Sequence, residues 1–147
     1  MSADKEQLEL VYRDEHLVAI NKPPGLLVHR SAIDRHETRF ALQILRDQIG
    51  QHVYPVHRLD KPTSGVLLFA LSSEVARVVS EQFALGKVHK QYLAVARGHC
   101  PQEKIIDYPL KEQRDRIADR RSRADKPPQP AVTVESGVSL ETFTSNS

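Results

Sequence analysis

The sequence has little aromatic side-chain surface and almost no sulfur. Among its 147 residues Trp is absent and aromatic residues make up 5%, so any core must be mostly aliphatic. The single cysteine, Cys100, excludes an intramolecular disulfide framework and a zinc site built from several cysteines. No stretch approaches the ~20 apolar residues of a membrane span, and the polar segment 1–6 differs from a signal peptide. These absences predict a soluble, cytoplasmic protein with no membrane partner, formed by one domain or part of one.

Neither sign of charge dominates, because 21 basic residues stand against 19 acidic ones and the formal net charge is +2. This balance does not by itself indicate a nucleic-acid partner. Basic residues are nevertheless concentrated between Lys111 and Lys126, where seven of them accompany four acids. The simpler interpretation of this segment is a solvated stretch with internal salt bridges. Contact with phosphate groups is the alternative that the pattern leaves open.

Hydrophobic patterning predicts an α+β fold with a mixed or antiparallel sheet and flanking helices. The predicted strands cover Leu8–Tyr12, Leu17–Ile20, Gly65–Leu71, Tyr92–Ala96 and Ala131–Glu135, with a turn at Arg13–His16. The predicted helices cover Thr38–Gln48, which Gly50 ends, and the segment from the capping residues Ser72 and Ser73 to Phe83. The strand Gly65–Leu71 is nearly all apolar, which is typical of a central strand buried on both faces.

Most motifs that carry catalytic chemistry are missing. The sequence contains no phosphate-binding P-loop, no Gly-x-Ser-x-Gly nucleophile motif and no His-Glu-x-x-His zinc motif. Four histidines have spacings that fit no common zinc pattern and are predicted to be surface or hydrogen-bonded side chains: His29, His36, His52 and His57. The sequence therefore predicts no metal site.

One polar segment, His57–Gly65, leads directly into the apolar strand and has the composition of a catalytic loop. Pro62 and Gly65 restrict the backbone beside a rigid element, where catalytic side chains are commonly held. Arg58 and Lys61 flank Asp60 and would keep its carboxylate ionised, ready to act as a nucleophile or general base. From the residues alone, the simpler alternative is an ordinary loop in which Asp60 pairs with Arg58 or caps the turn.

Three ordered segments resemble motifs of the RluA family of pseudouridine synthases. His57-Arg58-Leu59-Asp60, followed by Pro62-Thr63-Ser64-Gly65-Val66, is similar to the signature motif of this family. Asn21-Lys22-Pro23-Pro24-Gly25 is similar to its Asn-Lys-Pro-x-Gly segment, and Lys90–Gly98 to its Lys-x-Tyr-x-Ala-x-x-x-Gly segment. Three motifs in the family's order are a far more specific signal than a single tetrapeptide.

The resemblance implies the pseudouridine synthase catalytic fold and a role for each matched residue. Asp60 would be the catalytic aspartate, through which the glycosidic bond breaks and the base reattaches through carbon. Arg58 would pair with it and help to fill the space left by the flipped base, and Tyr92 would pack on the uracil. No metal or organic cofactor and no obligatory protein partner is implied. The predicted RNA-binding side chains are Lys61, Arg114, Arg120, Arg121 and Arg123.

Five further short segments narrow the expected substrate to tRNA. They resemble members that modify uridine 65 of tRNA and occur at Val28–Ser31, Arg46–His52, Leu71–Glu74, Asp107–Leu110 and Pro128–Thr133. The Gly-Arg-x-x-Gln-Leu-Arg segment of the family's second half is not found. We therefore expect residues 1–135 to be the N-terminal part of a catalytic domain, with a fold incomplete at its C-terminus, and residues 136–147 to be an unmatched tail. The alternatives are a catalytically incomplete RNA-binding fragment and an rRNA-specific member of the family.

Overall fold

The computed structural model of the chain describes residues 5–30, 36–95, 97–99, 103–107 and 132–136. The chain divides into two compact units, Met1–Lys90 and Gln91–Ser147. Cys100 and four of the predicted RNA-binding residues, Arg114, Arg120, Arg121 and Arg123, lie outside the described residues. Within the described ranges, no helix is long and apolar enough to cross a membrane.

The first unit is built on a four-stranded antiparallel sheet with two helices. Along the chain its elements are β1 (Glu9–Arg13), β2 (Leu17–Lys22), α1 (Ala41–Ile49), β3 (Tyr54–Pro55), β4 (Gly65–Ala70) and α2 (Ser73–Ala84). The strands lie in the order β1-β2-β4-β3, and each neighbouring pair is antiparallel. In the second unit, β5 (Glu103–Asp107) pairs antiparallel with β6 (Val132–Ser136). The α+β class with an antiparallel sheet and flanking helices is confirmed.

The turn between β1 and β2 is organised by one carboxylate. Asp14 accepts hydrogen bonds from the backbone N–H groups of His16 (2.7 Å) and Leu17 (2.8 Å) and from the Tyr12 hydroxyl (2.6 Å). These three hydrogen bonds lower the pKa of Asp14, and the one from the Tyr12 hydroxyl contributes most. The turn predicted at Arg13–His16 is therefore confirmed, and its cause is an aspartate that replaces a backbone acceptor.

The core lies on the face of the sheet that α1 covers. Val18 and Ile20 of β2 are paired with Phe69 and Leu67 of β4, and all four side chains are fully buried together with Leu45 of α1. The two-residue alternation of the strands brings these side chains to one face. On the opposite face Val66 is 64% exposed, so the prediction that β4 is buried on both faces is wrong there. Among the described residues nothing covers this position.

The ends of the helices show where neighbouring residues in the sequence were sufficient to predict a helix boundary. Ser72 caps α2, accepting the Val75 N–H at 3.2 Å, and Gly50 ends α1 in a left-handed conformation, as predicted. The start of α1 lies three residues later than predicted because no side chain caps it. Instead, the first N–H groups of the helix, from Ala41 and Leu42, donate to carbonyls of residues 27 and 28. A distant segment thus supplies the cap.

The predictions for the second unit were right at one strand and wrong at another. The last predicted strand is present as β6, but residues 92–95 form no strand, whereas Ala96 lies outside the described residues. Leu93 is 86% exposed, and no strand of the described residues pairs with this stretch. An apolar alternation predicts a strand only where a neighbouring strand supplies hydrogen-bond partners.

A buried lysine joins two loops of the first unit. Lys22 lies at the end of β2 on the inward face and is fully buried. Its Nζ donates to the backbone carbonyls of Pro23 (3.0 Å), Leu26 (2.7 Å) and Lys61 (3.1 Å). The N–H of Gly25, whose φ of 86° suits glycine, donates to the same Lys61 carbonyl at 2.7 Å. The ammonium therefore holds the 23–26 loop against the loop that precedes β4.

Replacing Lys22 by Met should destabilise the first unit by about 2 kcal/mol, because buried carbonyls lose their charged donor while a side chain of similar length is kept. Urea unfolding followed by circular dichroism measures this change. Lys5→Met is the matched control, since Lys5 is exposed and its replacement should change the free energy of unfolding by less than about 0.5 kcal/mol. Equal stabilities of the two variants would contradict the bridging role of Lys22.

Candidate active site

The loop that contains Asp60 connects β3 to β4 and is called the Asp60 loop here (residues 56–64). Its apolar members Val56 and Leu59 are buried, and Leu59 belongs to the core cluster. Arg58, which lies between them, and Asp60, which follows Leu59, are exposed. The backbone of the loop is thus fixed from inside by apolar burial, while its charged side chains face solvent. This arrangement presents an acid on a rigid support.

The turn that follows Asp60 is closed through the backbone. The Thr63 N–H donates to the Asp60 carbonyl at 2.9 Å, and the Lys61 carbonyl accepts from Gly25 and Lys22 as described above. The Asp60 carboxylate accepts no hydrogen bond from the described residues. The alternative in which Asp60 caps its own turn is therefore wrong for this part of the chain. None of the described residues thus prevents the carboxylate from accepting a hydrogen bond from an external group.

Basic residues near Asp60 make contacts that the sequence did not predict. Within the described ranges, Arg58 and Asp60 form no ion pair. The Lys61 ammonium contacts Glu37 at 2.7 Å and lowers the pKa of that carboxyl. The charge of buried Lys22 interacts with that of Asp60. Burial lowers the pKa of Lys22, and the negative charge of Asp60 opposes this shift.

Lys22 was missed as a neighbour of the site, although the sequence contains a signal for it. Val18, Ile20 and Lys22 alternate along β2, which places the lysine on the same inward face as two core residues. A lysine at such a position is buried only when its ammonium finds acceptors, and the following segment, residues 23–26, supplies two of the three carbonyls. That the third acceptor would be Lys61 could not be read from this pattern.

His57, at the start of the motif, is a hydrogen-bonded histidine, as predicted. Its Nε2 accepts the backbone N–H of Leu68 in β4 at 3.0 Å. Its ring stacks on Phe83 of α2, with the centroids 4.6 Å apart and an angle of 13° between the planes. Burial, and secondarily the charge of Lys90, lower the pKa of His57. The imidazole therefore attaches the first residue of the motif to both β4 and α2.

The remaining predicted site residues stay predictions. Tyr92 belongs to the second unit, where its side chain is exposed, and its contact with uracil stays a prediction. Lys61 combines a predicted RNA contact with the observed ion pair to Glu37. Among the described residues, no group of three or more His, Cys, Asp or Glu side chains is placed to hold a metal ion. The site as described is an exposed carboxylate on a fixed loop, which can act as a nucleophile or a general base.

Comparison with known proteins places this loop in a family. The model of the RNA pseudouridylate synthase family matches residues 16–141. The chain is 62% identical over 131 residues to the tRNA pseudouridine synthase C of Pasteurella multocida, covering 89% of this chain and 54% of that protein. It is 60% identical over 133 residues to the protein of the same name from Haemophilus influenzae, covering 90% and 56% respectively. The chain thus spans about half the length of these curated relatives.

Solved structures show the same fold. Human RNA Pseudouridylate Synthase Domain Containing 1 superimposes with a TM-score of 0.64 at 25% sequence identity, covering 91% of this chain and 53% of that chain. Human RNA Pseudouridylate Synthase Domain Containing 4 superimposes with a TM-score of 0.53 at 26% identity, covering 86% and 51% respectively. Together with the match over residues 16–141, these similarities establish that the chain belongs to the RNA pseudouridylate synthase family.

Proposed function

We propose that this chain is the part of a tRNA pseudouridine synthase that carries the catalytic aspartate, Asp60. The observation that carries the proposal is the exposed Asp60 carboxylate, which accepts no hydrogen bond from the described residues and stands on a loop held by buried Leu59 and Lys22. Two relatives that are 62% and 60% identical over 131 and 133 residues are named tRNA pseudouridine synthase C. On this proposal, residues 1–135 form the catalytic part and residues 136–147 a tail outside it.

The proposed reaction is an isomerisation that balances without an added reactant. The bond between N1 of uracil and C1′ of the ribose breaks, a bond between C5 and C1′ forms, and the C5 hydrogen is lost as a proton while N1 gains one. Asp60 assists as nucleophile or general base. The target uridine has to leave the stacked RNA helix first, since its reacting atoms are inaccessible there.

The other site residues have supporting roles in this proposal. Arg58, exposed two residues before Asp60, supplies a planar cation that can stack in the gap left by the extruded base. Tyr92 provides an aromatic face for the uracil ring. Lys61 and the arginines at positions 114, 120, 121 and 123 contact phosphates, which adds affinity without selecting the base. The proposed target is uridine 65 of tRNA.

Replacing Asp60 by Asn should lower the rate of pseudouridine formation at least about a thousandfold, because the amide can neither attack nor accept a proton. The measurement is tritium release from tRNA labelled at C5 of uridine and isolated from a strain lacking the matching synthase. Asp47→Asn is the matched control, since Asp47 is also exposed and lies on α1 away from the Asp60 loop. This control should keep the rate of the unchanged chain.

The outcomes separate the alternatives. Substantial turnover by Asp60→Asn would contradict the role of Asp60. Release from tRNA with uridine at position 65, but none from a transcript with cytidine there, would support the proposed target. Release from ribosomal RNA alone would favour the rRNA-specific alternative. A folded chain that binds tRNA and releases no tritium would overturn the catalytic proposal for this chain and favour an RNA-binding part of a synthase.

The basic residues lead to a second prediction, on the salt dependence of tRNA binding. Replacing Arg114, Arg120, Arg121 and Arg123 by Gln should reduce the slope of log Kd against log salt by about 0.7–0.9 for each phosphate that is no longer neutralised. The control variant removes four exposed charges from the first unit, at Lys5, Arg13, Arg77 and Lys87. Filter binding between about 50 and 200 mM salt measures both slopes. Equal slopes would contradict the assignment of the arginines.

A further inference from the structure

The side chain of His57 occupies a position where a backbone group would ordinarily complete the sheet. Strand β3 pairs with β4 through Tyr54–Ala70 and Pro55–Phe69, and the ladder then ends. Continuing the same register would bring residue 56 opposite Leu68. There the N–H of Leu68 donates to Nε2 of His57 instead of to a backbone carbonyl. The imidazole therefore continues the attachment to β4 while the backbone turns away into the Asp60 loop.

The hydrogen bond requires one form of the ring. A backbone N–H can only donate, so Nε2 must carry a lone pair, and in the neutral imidazole the proton is then on Nδ1. Protonation would place a second N–H at Nε2, facing the N–H of Leu68, and two donors cannot form a hydrogen bond with each other. The attachment of the loop to β4 exists only while His57 is neutral.

The surroundings of the ring favour this neutral form. From β4 the ring meets a backbone amide, from α2 the uncharged Phe83 ring, and from the segment after α2 the charge of Lys90. Burial, and secondarily the charge of the Lys90 ammonium, lower the pKa of His57. Folding favours the neutral ring, so its contribution to stability is complete above about pH 6.5 and is lost as the pH falls toward the lowered pKa.

We propose that His57 is a positioning residue that sets the orientation of Arg58 and Asp60 through its bond to Leu68, and that protonation of the ring releases the Asp60 loop. His57 lies one residue before Arg58 and three before Asp60, and Leu59 between them is buried in the core. Because only Arg58 and Leu59 separate the two residues, we expect a change at His57 to shift the backbone that carries Asp60. The proposal rests on the proposed function only where it concerns catalysis; the release of the loop is independent of it.

Two substitutions separate the hydrogen bond from the ring packing. His57→Gln places an amide oxygen near the position of Nε2, so it keeps an acceptor for Leu68 and has no titrating group. His57→Phe keeps an aromatic ring against Phe83 and has no acceptor. His52→Gln is the matched control, because it removes an exposed imidazole from the same unit. A role in packing alone would be preserved by Phe and damaged by Gln, which is the reverse of what the proposal expects.

The first test follows the loop directly by NMR of the full chain between pH 5 and 8. In the unchanged chain and in His52→Gln, the amide signals of Arg58, Asp60 and Leu68 should shift with the same midpoint as the His57 ring, below pH 6.5. In His57→Gln this shift should vanish and the signals should stay at their high-pH positions. In His57→Phe they should lie near the low-pH positions throughout. The proposal would be overturned if the amide signals of Arg58 and Asp60 did not shift as His57 titrates. It would also be overturned if the signals of His57→Phe had the same positions and pH dependence as those of the unchanged chain.

The second test measures catalysis by tritium release. At pH 7.5 His57→Phe should lower kcat about tenfold, the size of effect that one hydrogen bond supports, with KM changed less than about twofold. Below the His57 midpoint the unchanged chain should lose kcat to the same extent, whereas His57→Gln should lose none. A Gln variant with the unchanged pH profile would overturn the role of His57 in catalysis. If the unchanged chain releases no tritium at any pH, the proposed function fails while the NMR test still decides the role of His57.

Discussion

The burial of the Lys22 ammonium is the constraint on which the candidate site depends. An unpaired buried charge would be costly, so Lys22 must collect acceptors, and it takes three backbone carbonyls from two different loops. Because one acceptor is the residue after Asp60, satisfying the lysine also places the catalytic candidate. The charge of the same ammonium also interacts with the Asp60 carboxylate. One desolvated cation thus couples the fold of the 23–26 loop to the electrostatics of the site.

Three further attachments restrict the loop that carries Asp60. The Leu59 side chain is buried in the core, the His57 ring bonds to β4 and stacks on α2, and the Thr63 N–H closes the following turn. Each attachment uses a residue or backbone group other than the carboxylate. Asp60 is consequently held in place by its neighbours, while its carboxylate oxygens accept no hydrogen bond from the described residues. This division between supporting and reacting groups is what a catalytic loop requires.

Particular residues show how much of the fold and site could be predicted. Ser72 begins α2 and Gly50 ends α1, each through a hydrogen bond to a group within four residues, so the sequence predicted both helix boundaries correctly. The start of α1 was misplaced because its cap comes from the carbonyls of residues 27 and 28. Residues 92–95 have the alternation of a strand, yet no strand of the described residues pairs with them. Local patterns predict an element well when its partners are local as well.

The sequence by itself determined the family, the antiparallel α+β framework and the position of Asp60 just before an apolar strand, since these follow from motif order and periodicity. Only the tertiary structure decided which charges surround that carboxylate. It paired Lys61 with Glu37, left Arg58 without an ion pair to Asp60 within the described residues, and brought the Lys22 ammonium to the Lys61 carbonyl, 39 positions along the chain. The physical reason is that electrostatic partners are selected by distance and burial in space, whereas a sequence pattern records only neighbours along the chain.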